Sequence, residues 1–191
     1  MKKFIFLLIT LLFFLFIVSC VTDAKKKEEK ANQTSITPKQ PATSALAQRL
    51  YANFHSNPVT QAQKDENTLI EYAVEKNLDV QKTNSGLYYI IHKEGKGPMY
   101  IHNQPVTAHY SGYFVDGKVF DASYNRGKPL SFNVGMMIPG WNEALKFMNA
   151  GTKAQLLIPS HLAYGPSGFR GFVEPNTPLV FDIETLPLGS N

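Results

Sequence analysis

From about Lys82 onward the spacing of apolar residues changes from helical to alternating, and this change constrains the fold more than any other feature of the chain. Val106, Ala108, Tyr110, Gly112 and Phe114 fall at every second position of one run, the pattern of a strand with one buried face. Gly86-Leu-Tyr-Tyr-Ile-Ile91 reads as another strand, and further short strands are predicted over 130–133, 153–158 and 179–186. Asp116-Gly117 lies between Phe114 and Val119-Phe120, a hairpin signal because both residue types accept the backbone of a tight turn. Gly95-Lys96-Gly97 stops at Pro98 and reads as a turn. Trp141, Ala144, Leu145 and Met148 stand at i, i+3, i+4 and i+7 and describe one short amphipathic helix that ends near Ala150-Gly151. The expected class is α+β, a half-wrapped antiparallel β-sheet around one short α-helix.

Upstream the period is helical. Ser44 is placed to cap a helix with Leu46, Leu50 and Phe54 on one face, before Asn57-Pro58 interrupts it. A second amphipathic helix is expected over 60–77, with Leu69, Ile70, Ala73 and Val74 on its apolar side. Three partners are open to that face: the chain's own C-terminal domain, a second copy in a homodimer through residues 44–80, or a substrate protein.

Residues 21–44 are polar and mixed in charge, with Lys25-Lys-Lys-Glu-Glu-Lys30 and two prolines. They cannot bury enough apolar surface to offset their ordering entropy and read as a solvated tether. Lys2 and Lys3 precede an apolar run from Phe4 to Val18, too short for an ordinary permanent span and laid out like an export signal. An uncleaved N-terminal anchor is the alternative. Ile17-Val-Ser-Cys20 resembles a bacterial lipobox, which implies cleavage before Cys20 and acylation of its thiol; a free thiol after an ordinary cleavage site is the other reading. Two or more acyl chains would anchor stably, since each buried methylene contributes about 0.8 kcal/mol. The expected organisation is a lipoprotein signal peptide over 1–19, an acylated tether over 20–44, a helical segment over 45–82 and a domain over 83–191. The expected location is outside the cytoplasm, lipid-anchored to the cell-envelope membrane and facing the periplasm or the exterior.

The net charge of +4 divides unevenly, with +2 in residues 1–20, +2 in 21–45, −1 in 46–85 and +1 in 86–191, so no basic nucleic-acid-binding face is implied. One cysteine excludes an internal disulfide and any multi-cysteine metal cluster. The sequence has no Gly-x-Ser-x-Gly elbow, no phosphate-cradling loop and no His-Glu-x-x-His. His55, His92, His102, His109 and His161 lack ligand spacing, so neither a metal nor a cofactor is expected. What stands out is an aromatic set, Tyr110, Phe120, Phe132, Trp141, Tyr164 and Phe181, with Asp121 set among it. Aromatics at strand spacing are usually core. A buried carboxylate needs a partner, which a tyrosine hydroxyl or Arg126 can supply.

The order of these residues over 106–188 resembles an FK506-binding-protein-type peptidyl-prolyl isomerase domain. Six stretches carry the resemblance: Ala108-His-Tyr-Ser-Gly-Tyr113, Asp116-Gly-Lys-Val-Phe-Asp121, Gly127-Lys-Pro-Leu-Ser-Phe132, Ile138-Pro-Gly-Trp-Asn-Glu-Ala-Leu145, Ile158-Pro-Ser-His-Leu-Ala-Tyr-Gly165 and Pro178-Leu-Val-Phe-Asp-Ile-Glu184. It implies a proline-binding cleft in which Tyr110, Phe120, Asp121 and Tyr164 act on the substrate. Phe132, Met137, Ile138, Trp141, Phe172, Val173 and Phe181 would bind it, with Trp141 as the floor and Phe172 and Val173 in a loop over the pocket. Leu130 stands where some members have an aromatic, and the 135–138 connection is short, which bears on preference for the residue before proline and on macrolide inhibitors. The implied function is isomerisation of Xaa-Pro bonds in proline-containing polypeptides, assisting the folding of exported proteins without a cofactor. The alternative is an envelope-anchored chaperone or proline-binding module whose isomerase activity is incidental.

Overall fold

The computed structural model describes residues 44–187. The export signal, Cys20 and residues 20–43 of the expected tether lie outside them. Ser44 caps α1 (Ala45–Tyr51), its Oγ accepting from the Ala47 amide at 3.2 Å. α2 (Gln61–Glu75) opens with a capping box: Thr60 Oγ1 accepts from the Gln63 amide, and Gln63 Oε1 accepts from the Thr60 amide. Two donors that a helix start leaves free are thereby satisfied. Asn77, at φ +52°, ends the helix by turning the chain so that the amides of Asn77 and Leu78 bond back to Val74 and Ala73. Asparagine tolerates this left-handed backbone, so α2 stops short of the expected residue 77.

The strands are β1 (Gln81–Lys82), β2 (Tyr88–Lys93), β3 (Lys96–Met99), β4 (Pro105–Tyr113), β5 (Val119–Ala122), β6 (Leu130–Asn133), β7 (Asn149–Ala150), β8 (Lys153–Ile158) and β9 (Leu179–Thr185). Seven of them form one sheet in the order β1-β2-β8-β9-β4-β5, with β6 also on β4, and every pairing is antiparallel. β4 is the hub. Its Ala108–Tyr113 stretch pairs with β9, while its opposite edge is divided between β6 over Pro105–Ala108 and β5 over Ser111–Tyr113. Between those two partners Ser123 continues the ladder: its Oγ accepts from the Tyr110 amide at 2.9 Å and its amide donates to the Tyr110 carbonyl at 3.0 Å.

One expectation fails here. Lys96-Gly97, read as part of a turn, belongs to β3, which pairs with β7 in a separate two-stranded ribbon. Gly95 is there for proximity, since a Cβ at that position would sit 2.4 Å from the Ala150 carbonyl oxygen. The pairing partner is distant in sequence, and local spacing carries no sign of it.

The sheet is covered on both sides. On one side lie α3 (Pro139–Ala144) and a 3₁₀ turn over Leu145–Phe147, which bury Trp141, Ala144 and Leu145 against Tyr110, Leu156, Ile158, Phe181 and Ile183. The single helix expected to end near Ala150-Gly151 is thus an α-helix tightened into 3₁₀ that stops at Phe147, because Asn149–Ala150 is taken up by β7. On the other side Leu50, Leu69, Ile70 and Ala73 pack on Tyr88, Leu157 and Val180. The unbroken apolar runs Leu156-Leu-Ile158 and Leu179-Val-Phe181 follow, because successive side chains point into different cores. The apolar face for which a second copy or a substrate protein stood open is therefore occupied by the chain's own sheet. Residue 82 marks a change of secondary structure and not of packing.

Glu66 bolts the helices to the sheet. Its carboxylate accepts from Tyr88 Oη at 2.8 Å, from His55 Nε2 at 3.0 Å and from the Lys82 ammonium. Burial alone would raise its pKa, but the bonds from Lys82, His55 and Tyr88 prevail and hold it below the ordinary value. A depressed folded-state pKa contributes stability that is present above the unfolded value, about 4.3, and is lost as the pH falls through the lower folded value. Glu66→Gln is expected to cost about 1–2 kcal/mol at pH 7 and to flatten the acid limb below pH 4.3. Urea unfolding at a series of pH values between 7 and 3 measures both effects.

Candidate functional site

Trp141 is 1% exposed and lies in the first turn of α3, whose start is set by Pro139 in the helix and Ile138 at the cap. Proline suits this place because its missing N–H would have no intrahelical partner there. Three rings close on the indole. Tyr110 stands edge-on at 5.2 Å between centroids, Phe181 edge-on at 5.4 Å, and Phe132 tilted at 5.7 Å. Phe120 joins through Phe181, edge-on at 5.6 Å. Edge-to-face contacts set the positive rim of one ring on the negative face of another, and they fix orientation as well as burying area. The indole N–H has no hydrogen-bond partner among the described residues.

Gly112 makes room for this cluster. It faces Phe181 on one strand and Asp121 on the other, and a Cβ on it would lie 2.6 Å from Phe181 Cε1 and 2.8 Å from Phe120 Cζ. Its place on the buried side of β4 is legible in the alternation; the two rings that cross it are not.

Asp121 is bound into a triad at the edge of the cup. Tyr110 Oη and Arg126 Nη1 both donate to its carboxylate, Arg126 Nη2 donates to Tyr110 Oη at 2.6 Å, and the guanidinium lies 5.5 Å from the centre of the Tyr110 ring. Burial, then the bond to Asp121, pushes the Tyr110 hydroxyl up, with Arg126 pulling the other way. Burial and the charge of Asp121 likewise raise Tyr164. Both phenols remain neutral donors at ordinary pH. An aspartate that already accepts from two donors is suited to holding a tyrosine in place.

The rim is built from two segments. Asn142, on the helix beside Trp141, accepts from the amides of Gly135 at 2.9 Å and Met137 at 3.3 Å and donates to the Met137 carbonyl, which pins the short 135–138 connection. Met137 and Ile138 pack half-buried on the core from there. Across the cup Tyr164 stacks on Phe169 at 5.1 Å and Phe169 on Phe172 at 5.1 Å. Val173 is 5% exposed and belongs to the core, its amide and carbonyl closing a loop on Phe169, whereas Phe172 is 58% exposed and meets the cluster only through that stack. Phe169, Asn142 and Ser123 are the members that residue spacing did not single out. Phe169 is the one with a visible signal, an aromatic between Gly168 and Gly171 in a segment otherwise polar. Gly112→Ala is expected to force Phe120 and Phe181 apart and to cost about 1–3 kcal/mol, the usual range for overpacking a core; an unchanged urea midpoint counts against this arrangement.

The chain matches the family model for FKBP-type peptidyl-prolyl cis-trans isomerases over residues 100–186. It is 45% identical over 111 residues to the isomerase FkpA of Escherichia coli, a match that covers 58% of this chain and 41% of that one. With a probable FKBP-type isomerase of Haemophilus influenzae it shares 35% identity over 163 residues, 84% of this chain and 64% of the relative. The chain thus spans about half the length of such curated relatives. The crystal structure of Escherichia coli FkpA superposes with a TM-score of 0.59 at 33% identity, covering 89% of this chain and 70% of that one. A peptidyl-prolyl isomerase structure from Pseudomonas syringae superposes with a TM-score of 0.58 at 32% identity, over 69% of this chain and 96% of that one. With matches of this identity over most of solved relatives, the chain belongs to the FKBP-type peptidyl-prolyl cis-trans isomerase family.

Proposed function

We propose that the chain is a peptidyl-prolyl cis-trans isomerase that acts on Xaa-Pro bonds of exported proteins and is held at the cell-envelope membrane by an acylated Cys20. The observation that carries the catalytic part is the aromatic cluster on Trp141, with Asp121 beside it already accepting from Tyr110 and Arg126. Rotation about an Xaa-Pro bond must break amide resonance against a barrier of about 18–20 kcal/mol, and no bond to a side chain is needed to lower it. A twisted amide carries less charge on its oxygen than a planar one. Removing water therefore favours the transition state over the ground state. In this reading Phe120, Phe132, Trp141 and Phe181 grip the prolyl ring, Tyr164 donates to the substrate carbonyl, and Ile138 and Met137 offer backbone beside it. Asp121 acts through Tyr110. Phe172 touches only residues that flank the proline.

The anchoring rests on the lipobox-like Ile17-Val-Ser-Cys20 and on the polar stretch behind it. Mass spectrometry of the protein from its native membrane tests it through acyl groups on Cys20. A holdase or homodimer using residues 44–80 is the weaker reading, since the apolar face it needs packs on the chain's own sheet.

For a short peptide with an apolar residue before proline, the full chain is expected to accelerate cis-to-trans conversion. Phe120→Ala should lower kcat/KM about tenfold or more, and Tyr164→Phe about fivefold to tenfold, the worth of about one hydrogen bond. Asp121→Asn should lose no more than about tenfold, well short of the 10²–10⁴ typical of an essential general base. A loss of the latter size on Asp121→Asn would replace desolvation with proton transfer as the mechanism.

A further inference from the structure

Tyr164, Phe169, Phe172 and Val173 all lie on one segment, and that segment is fastened at both feet to α2, which lies outside the stretch 100–186 that matches the family. Asp65 on α2 is 1% exposed, and its Oδ2 accepts from the Ser160 amide at 2.8 Å. Ser160 begins the 3₁₀ turn Ser160–Leu162 that leads into Tyr164, and no side chain from its own neighbourhood caps that turn. At the other foot Gln61 bridges: its Nε2 donates to Asp65 Oδ1 at 2.7 Å and to the Asn176 carbonyl at 3.4 Å. The Asn176 amide in turn donates to the Gly165 carbonyl at 2.8 Å, beside Tyr164. The circuit Ser160, Asp65, Gln61, Asn176, Gly165 therefore closes behind the tyrosine.

Asp65 forms no ion pair among the described residues. A buried carboxylate costs several kcal/mol of desolvation unless its lone pairs are used. Leucine or alanine would pack α2 on the sheet without that cost, and α2 already has Leu69, Ile70 and Ala73 for the purpose. What the carboxylate supplies beyond packing is a direction: one oxygen fixes where the Ser160 amide sits and the other orients Gln61. A fixed Ser160 fixes the start of the turn, and Tyr164 follows four residues later. Displacement of a reacting group by about 1 Å from a remote change can cost as much as a hundredfold in rate.

We propose that Asp65, with Gln61, is a positioning residue of the isomerase, through which the N-terminal helical segment sets the place of Tyr164 and of the loop at residues 165–173. The proposal rests on the isomerase reading above. Two measurements on the full chain separate the two claims. Amide hydrogen exchange is expected to speed at least about tenfold at Ser160, Leu162, Ala163 and Asn176 in Asp65→Ala, while β8 and β9 keep their protection. Unchanged exchange at those amides overturns the clamp whether or not the protein is active. The second measurement is kcat/KM on an Xaa-Pro peptide, expected to fall about tenfold in Asp65→Ala and to stay within threefold in Asp65→Asn, whose amide oxygen still accepts from Ser160. The Asp65→Ala loss should shrink to about twofold in a Tyr164→Phe background, because both changes act on one hydroxyl. Glu66→Gln, next in sequence but bonded elsewhere, should lower stability and leave kcat/KM unchanged. Full activity in Asp65→Ala, or an equal loss in the Tyr164→Phe background, overturns the positioning role. An inactive unmodified protein overturns the isomerase reading.

Discussion

The contact on which the structure depends is the burial of Trp141, on α3, against one face of the sheet. Tyr110 and Phe181 meet the indole edge-on from neighbouring strands, and Phe132 leans on it from β6. Aromatic pairs of this geometry are worth about 0.5–1.5 kcal/mol each beyond the area they bury. The three ring contacts set the position of the indole by shape. Placement of the aromatic cluster therefore follows from the same packing that makes the core, and the candidate site is a continuation of that core into the half-buried Phe120, Phe132, Ile138 and Tyr164.

Around this aromatic cluster polar contacts hold three places. Asn142 gathers the 135–138 connection, Arg126 and Asp121 hold Tyr110, and Asp65 with Gln61 holds the feet of the Tyr164 segment. These bonds fix backbone and side-chain polar groups, where the aromatic contacts fix the rings. The back layer of helices has a similar division of labour. Leu69, Ile70 and Ala73 supply the area, and Glu66 with His55, Lys82 and Tyr88 sets the register.

Much of this was legible in the sequence, because period and turn chemistry are local. The alternation from Val106 marks β4 to within a residue, Asp116-Gly117 does join β4 to β5, and Ser44 does cap α1. The candidate site residues came from the order of six stretches, and the structure gathers Tyr110, Phe120, Phe132, Trp141 and Phe181 into one cluster. Illegible features depend on partners far apart in the chain. Gly95 and Gly97 look like turn glycines until β7 is seen beside them. Leu69 and Ile70 form an apolar face whichever partner covers it, and only the second core shows that the partner is β8 and β9. Asp65 looks like any polar residue of an amphipathic helix, and its meaning appears only with Ser160 against it.

Trp141 is the chain's one tryptophan, so its emission reports on the floor of the cup and on nothing else. Titrating the full chain with a tetrapeptide containing an apolar residue before proline should produce a saturable change in that emission. The same peptide with alanine in place of proline should produce none. An emission that stays constant while the peptide is turned over, or that responds equally to the alanine peptide, would contradict a proline-binding site on Trp141.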